Sequence, residues 1–412
     1  MERLASALFA ALCFGSLALN AQTAFEWIPR APYPGTGYMG AFTFVLDGKG
    51  YVAGGYNGSN AVAEVWMYDP ETDVWMTRQS LPSARRHGTS WTMNGKGYVV
   101  CGFNGSSVRT NTLYEYDPVT DTWNVRAPLP GEARYGSHGF AIGSNGYVGG
   151  GNIGSASGPF LSDMWRYDSA NNDWVEIEGI PGLPRYGATS WVVAGKGYVQ
   201  GGCASNMDFS TQLWQFDPTT SEWSLKPPRP GEGLSYTIVM AFPYTAVVAC
   251  GKDDLDLNNF EAYHYVPSAN VWSSVPDYPG QSGWSGIGFG IGDRTFGGLG
   301  ATIMPSSGYF NDFWELVKID AIGMEDRNHG RLSLLPFPVP ASGDLVSFHV
   351  DGVLAQGLYD LEVINVLGQH MLSSSYRSGD WVDITSIGSG QYTTRLMQGP
   401  TEVARGKLVV LR

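Results

Sequence analysis

Side chains able to do chemistry are few in this chain, with six histidines, four cysteines and 25 basic residues against 38 acidic ones. The pattern that stands out is basic. Arg86-His87-Gly88, Arg134-Tyr135-Gly136 and Arg185-Tyr186-Gly187 repeat an arginine, a ring and a glycine at similar intervals. Three guanidiniums brought together could clasp a carboxylate or sulfate bidentately. They could equally donate to loop carbonyls and tie neighbouring units together. At the corresponding points further on, Leu234-Ser235-Tyr236 and Gly283-Trp284-Ser285 offer aromatic rings. The expected binding set is therefore Arg86, Arg134, Arg185, Tyr135, Tyr186 and Trp284.

Other clusters read as structural. His87, His138 and His264 fall at unrelated offsets, which disfavours a shared metal or a copper site of two His and two Tyr. Asp69, Asp117, Asp168 and Asp217 each follow Tyr or Phe, and three of the four precede Pro. A turn wants Asp there to bond its own backbone. Asp253-Asp254-Leu255-Asp256 with Asn258 offers oxygen ligands for Ca²⁺ but no defined loop spacing, so a solvated acidic loop competes with a cation site. No cofactor is called for, and no catalytic residue stands out.

Composition sets the class. Glycine makes up 55 of 412 residues, with 14 Trp, 22 Tyr and 18 Phe. Glycine and aromatics enriched together point to many short strands joined by tight turns. The net charge of −13 argues against nucleic acid, which needs a basic field. Residues 1–21, with Arg3, an apolar run from Leu4 to Leu19 and a small residue at Ala21, read as a secretory signal peptide. No later stretch is long and apolar enough to span a membrane. Cys13 leaves with the signal. Cys101, Cys203 and Cys250 remain, and a Cys203–Cys250 bond stays open at this stage.

The elements that position the arginines come from a repeat. Tyr51-Val52-Ala53-Gly54-Gly55 recurs at Tyr98 to Gly102, Tyr147 to Gly151 and Tyr198 to Gly202, with degenerate copies at Val247 to Gly251 and Arg294 to Gly298. Each unit holds four strand signals, a Tyr-Asp turn and a late tryptophan. This resembles the kelch repeat, which implies a β-propeller of four-stranded blades. Trp27, Trp75, Trp123, Trp174, Trp223 and Trp272 count six blades over residues 22–318. Because Trp27 precedes the first glycine doublet, Phe25 to Arg30 should complete the last blade and close the ring. The resemblance places the arginine triplets at the channel mouth.

Residues 319–331 read as a linker, and 332–412 as a small Ig-like β-sandwich, so the whole fold is all-β. Pro338 to Ser342, Val366-Leu367-Gly368-Gln369, Ile384-Thr385-Ser386, Ser389 to Tyr392 and the basic-capped terminal strand Lys407 to Arg412 resemble the type IX secretion sorting domain (Por secretion, type A). Val339 stands where that family usually has Asn. The resemblance implies a partner in the type IX secretion machinery of a Bacteroidetes-type bacterium and a secreted or outer-membrane-surface location. A sandwich that binds carbohydrate is the competing reading.

Together these readings give a secreted or cell-surface binding protein, its propeller a platform for an extracellular protein or glycan. The alternative is a secreted carbohydrate-active enzyme, a lyase or epimerase, using the same mouth. The mouth positions supply Arg, Tyr and His but no carboxylate for an acid–base pair, which favours binding.

Overall fold

The computed structural model describes residues 24–104, 108–155, 157–204, 208–255, 257–281, 283–302, 308–319, 332–337, 345–351, 359–365, 367–377, 380–399 and 401–410. The expected signal peptide lies outside these residues, as do Asp256, Pro338 to Ser342 and nearly all of the expected linker.

Blade 2 shows how sequence becomes sheet. Thr89–Met93 alternates buried and less buried side chains, and Lys96–Val100 is buried from Gly97 onward on both faces, across a hairpin whose tip, Asn94-Gly95, has φ of 52° and 70°. Two successive positive φ values make a tight turn that Asn-Gly adopts readily. Leu113–Asp117 and Thr122–Arg126 complete the antiparallel sheet. Five further four-stranded sheets repeat this order. Between blades 1 and 2, Phe44, Tyr51, Tyr116 and Trp123 pack ring against ring. Fully burying one large apolar side chain contributes roughly 1.5–3 kcal/mol, so these wedges hold the blades together.

The ring closes as expected. Ala24–Pro29 pairs with Gly308–Ile319, with Trp27 opposite Leu316, and so forms the outer strand of blade 6. Each late tryptophan donates its indole N–H to the preceding blade. Trp75 reaches Ala31, Trp123 Gln79, Trp174 Ala127, Trp223 Glu178 and Trp272 Pro227, while Trp27 closes the circle on Pro276 at 2.9 Å.

One repeat copy needs correction. The sixth doublet is Leu299-Gly300, not Gly297-Gly298. Leu299 and Gly300 have φ of 55° and 111°, matching 63° and 95° at Cys101-Gly102. The degenerate copy is thus Phe296 to Gly300, two residues later than the glycines suggest. Cys101, Cys203 and Cys250 are buried and in no disulfide, so Cys203 and Cys250 do not bond.

Gly323–Arg412 forms a separate compact unit. Its described strands lie in one continuous order: His370–Tyr376, Tyr359–Asn365, Gly390–Gln398, Thr401–Val410, Leu332–Phe337, Leu345–Asp351 and Trp381–Asp383. Tyr376 from one end of that order and Val382 from the other share one core with Leu361, Leu396 and Leu408. The sheet therefore folds over itself into a small sandwich whose two layers are joined through shared hydrogen bonds.

Candidate functional site

Six residues, one per blade, form the floor of the propeller mouth. Gly40, His87, Gly136, Gly187, Tyr236 and Ser285 all have φ between 52° and 66°. Each donates its backbone N–H to its neighbour's carbonyl: His87 to Gly40, Gly136 to His87, Gly187 to Gly136, Tyr236 to Gly187, Ser285 to Tyr236 and Gly40 to Ser285, at 2.7–2.9 Å. The circle is complete. A side chain pays a steric penalty in this left-handed conformation, which three of the six positions avoid by being glycine.

The three that do carry side chains use them to cover the floor. A Cβ on Gly40 would strike the His87 ring, and one on Gly187 would strike Tyr236. His87 Nε2 lies 3.0 Å from Ser285 Oγ, and its ring stacks on Trp284 and meets Tyr236 edge-on. Burial, and then the Arg86 charge, push the His87 pKa down to about 3. Burial raises the Tyr236 phenol well above its usual value.

Around this floor runs an aromatic belt with cations set into it. Trp284 meets Tyr236, Tyr236 meets Tyr186, Tyr186 meets both Tyr135 and Phe160, and Tyr135 lies 4.2 Å from Phe103. The Arg86 guanidinium sits 4.2 Å over the Tyr56 ring and 5.2 Å from Phe103. Arg109 approaches Phe103 from beyond, and Lys252 lies over Trp284. Among the described residues no acceptor takes a hydrogen bond from the Arg86 guanidinium. Stacked on two rings at a half-buried site, it is held in place with its donor edge free, and such contacts at a water-exposed mouth contribute about 0.5–1 kcal/mol.

The expected match among the three arginines is corrected here. Arg85, not Arg86, is the counterpart of Arg134 and Arg185. The carbonyls of Arg85, Arg134 and Arg185 accept from Gly55, Gly102 and Gly151 respectively. Arg86 instead shares its place with Tyr135, Tyr186, Ser235 and Trp284, because residues one apart in an extended segment face opposite ways. Arg134 and Arg185 are 0% and 5% exposed. Arg134 donates in two prongs to Asp163 at 2.5 and 2.7 Å, and Asp163 also takes the Trp165 indole N–H. Arg185 donates to Gln212, which likewise holds Trp214. Arg85 donates to the Thr112 carbonyl. Each buried guanidinium is a strut that ties the entry of its blade's first strand to the start of the third strand of the same blade, so the structure brings Arg86, Tyr135, Tyr186 and Trp284 together at the mouth and leaves Arg134 and Arg185 behind it.

Sequence reasoning placed Tyr236 at the mouth but left it out of the binding set, and missed Tyr56, Phe103 and Arg109 there. Tyr236 was legible by counting two residues on from the strut position, as for His87. The turn aspartates cap their own turns as expected: Asp117 takes the Val119 N–H at 2.9 Å and pairs with Lys96. Asp253 accepts from the Leu255 and Leu257 N–H groups, organising its own loop. His138 lies in the first strand of blade 3 and His264 in the third strand of blade 5, against Phe25.

The kelch motif family matches residues 40–82 and 84–130. The N-acetylneuraminate epimerase of Yersinia enterocolitica is 31% identical over 113 residues, covering 26% of this chain and 27% of that protein. Its Yersinia pestis counterpart is 31% identical over 90 residues, covering 20% and 23%. The chain thus spans about a quarter of the length of these curated relatives. The solved structure of YjhT superposes with a TM-score of 0.57 at 15% identity, over 69% of this chain and 96% of that one, a likeness of fold. Two matched kelch motifs, six blades of four antiparallel strands and that likeness give residues 24–319 the fold of a kelch-type β-propeller.

Proposed function

We propose that the propeller mouth is a recognition site for an acidic glycan, on a protein exported from the cell. The observation that carries this is the Arg86 guanidinium, stacked on Tyr56 and Phe103 with its donor edge unclaimed among the described residues. Sugar rings present C–H faces that pack on aromatic side chains, and a carboxylate on the sugar would meet the arginine edge in two prongs. The belt from Phe103 to Trp284 supplies the first and Arg86 the second. Export rests on the sequence at both ends of the chain, with the C-terminal sandwich as a sorting domain read by the type IX secretion machinery. A glycan and peptide array probed with the full mature chain tests the recognition claim. Carboxylated glycans should dominate the hits, and binding confined to neutral glycans or to peptides would refute it.

A second reading is a sugar-isomerising enzyme, favoured by the local similarity to N-acetylneuraminate epimerases. Such chemistry needs a proton acceptor at the mouth. His87, with a pKa of about 3 and a hydrogen bond to Ser285, is a weak one. Proton exchange at a sugar carbon, followed by NMR in D₂O with enzyme-level protein, separates catalyst from receptor.

A further inference from the structure

Arg86 is not alone on its ribbon. It pairs with Phe103, and Phe103 pairs in turn with Arg109, so the three residues stand side by side on neighbouring extended segments. At 5.2 and 5.9 Å from the Phe103 centroid, the guanidinium carbons of Arg86 and Arg109 lie no more than about 11 Å apart. Arg109 is half-buried. Its Nη2 donates to the Gly154 carbonyl of blade 3 at 2.5 Å, while its Nη1 makes no hydrogen bond among the described residues. The mouth thus carries a second cation, on the far side of Phe103.

Beside this cation is a hydroxyl whose role is fixed by its neighbour. Asn152 is fully buried, and two backbone groups set its amide: Oδ1 accepts from the Gly154 N–H at 2.7 Å, and Nδ2 donates to the Ser155 carbonyl at 2.6 Å. The second Nδ2 hydrogen goes to the Tyr135 phenol oxygen at 2.9 Å. Because the phenol accepts there, its own O–H must donate elsewhere, and among the described residues no acceptor takes it. Gly154 joins the two groups, its carbonyl holding Arg109 and its N–H holding Asn152. Burial raises the Tyr135 pKa against the opposing Arg109 charge, Asn152 hydrogen bond and Arg86 charge. The phenol therefore stays protonated at neutral pH, a donor with two guanidiniums near it.

We infer that Tyr135 and Arg109 form a second anion subsite beside Arg86, and that the ligand is a glycan with acidic groups on more than one sugar. The inference rests on the reading of the mouth as an acidic-glycan site and specifies its ligand class. Phe103 separates the two guanidiniums on the ribbon, so one carboxylate held in two prongs by Arg86 leaves Arg109 and the Tyr135 hydroxyl unserved. A second acid farther along the same chain meets both donors, and the ring between them packs against a sugar C–H face. Asn152 is a positioning residue, acting through the hydroxyl that it turns outward.

The test is calorimetric titration of the full mature chain with a uronic-acid trisaccharide carrying three carboxylates, and with its analogue keeping one, the other two reduced to CH₂OH. The parent should bind the tri-acid about tenfold or more tighter than the mono-acid. Tyr135→Phe and Arg109→Gln should each remove most of this gap and leave mono-acid affinity nearly unchanged, whereas Arg86→Gln weakens both ligands. Tyr135→Phe keeps the ring and changes no charge, so a narrowed gap there reports the hydroxyl and not a general attraction of poly-acids to a basic rim. Asn152→Ala should cost tri-acid affinity in the parent and none in the Tyr135→Phe background. The ¹³Cζ signal of Tyr135, identified by its loss in Tyr135→Phe, should move far further with the tri-acid than with the mono-acid. Equal affinity for the two trisaccharides, or an unchanged gap in folded Tyr135→Phe, would overturn the second subsite and leave the Arg86 reading standing. Binding of neither trisaccharide would overturn both.

Discussion

Replacing Arg134 by glutamine should destabilise the propeller, while the same change at Arg86 should leave it standing. Arg134 is wholly buried, and both its prongs end on Asp163, whose side chain is 21% exposed. Removing one partner of a buried ion pair costs about 3–5 kcal/mol. Water can reach part of Asp163, so the loss here should be about 2–4 kcal/mol. The unfolding entropy is about 2.1 cal/mol/K per residue, or about 0.6 kcal/mol/K for a propeller of about 300 residues, which turns this into a fall in Tm of about 3–7 °C. Arg86→Gln, at a half-buried site with no hydrogen bond from its guanidinium, should shift Tm by no more than about 1–2 °C.

The pH dependence gives the sign. Burial alone would raise the Asp163 pKa, but the Arg134 hydrogen bonds and charge outweigh it and hold the carboxyl below its usual value. Stabilisation from such a group is complete above the unfolded pKa of about 3.9 and is lost as pH falls through the lowered folded value. The gap in Tm between the parent and Arg134→Gln should accordingly be full at pH 7 and narrow below about pH 4. Calorimetric melts across pH 3–7 check this. Equal Tm values for both variants, or a gap that ignores pH, would refute the division into strut and recognition arginines.

Deleting residues 24–29 removes the outer strand of blade 6 and the Trp27–Pro276 bond that closes the ring; the protein should aggregate or melt far lower, and an unchanged Tm would contradict closure. Cutting the chain after Arg331 should leave the propeller folded, because it and Gly323–Arg412 are separate compact units. In the native host that shortened protein should stay in the periplasm, and normal surface delivery would contradict the sorting role. With His87 pressed down to about 3 by burial and the Arg86 charge, glycan binding should be flat from pH 5 to 8, and an inflection near pH 6.5 would place a titrating histidine in the site.

Most of the architecture was legible because it repeats. Gly54-Gly55 and its copies mark where backbones crowd in left-handed conformations, and the six tryptophans mark the blade wedges, so blade number and closure follow from spacing. The site was harder for a local reason. Arg85 and Arg86 are adjacent, and one residue in extended chain exchanges a buried strut for a mouth side chain. The discriminating signal was the distance to the second doublet glycine, seventeen residues in each case: 85 to 102, 134 to 151, 185 to 202. The same count from Gly300 falls on Gly283 and places Trp284 beside Arg86's counterparts. Blade 6 misled through composition, since Gly297-Gly298 imitates a doublet two residues early. Pairing of Arg134 with Asp163 could not be read from spacing alone, because the acceptor varies from Asp163 to Gln212 to the Thr112 carbonyl.

The central claim is that Arg86 recognises an acidic ligand at an aromatic mouth, and calorimetric titration of one carboxylated glycan tests it most directly. A charge-assisted hydrogen bond contributes about 1.5–3 kcal/mol. Arg86→Gln should therefore weaken binding by about 10- to 150-fold, with Tm nearly unchanged. Affinity of the parent chain should also fall as salt rises, because charges at an exposed mouth are screened over about 8–10 Å near physiological ionic strength. Unchanged affinity in Arg86→Gln, with the protein folded, would contradict the account.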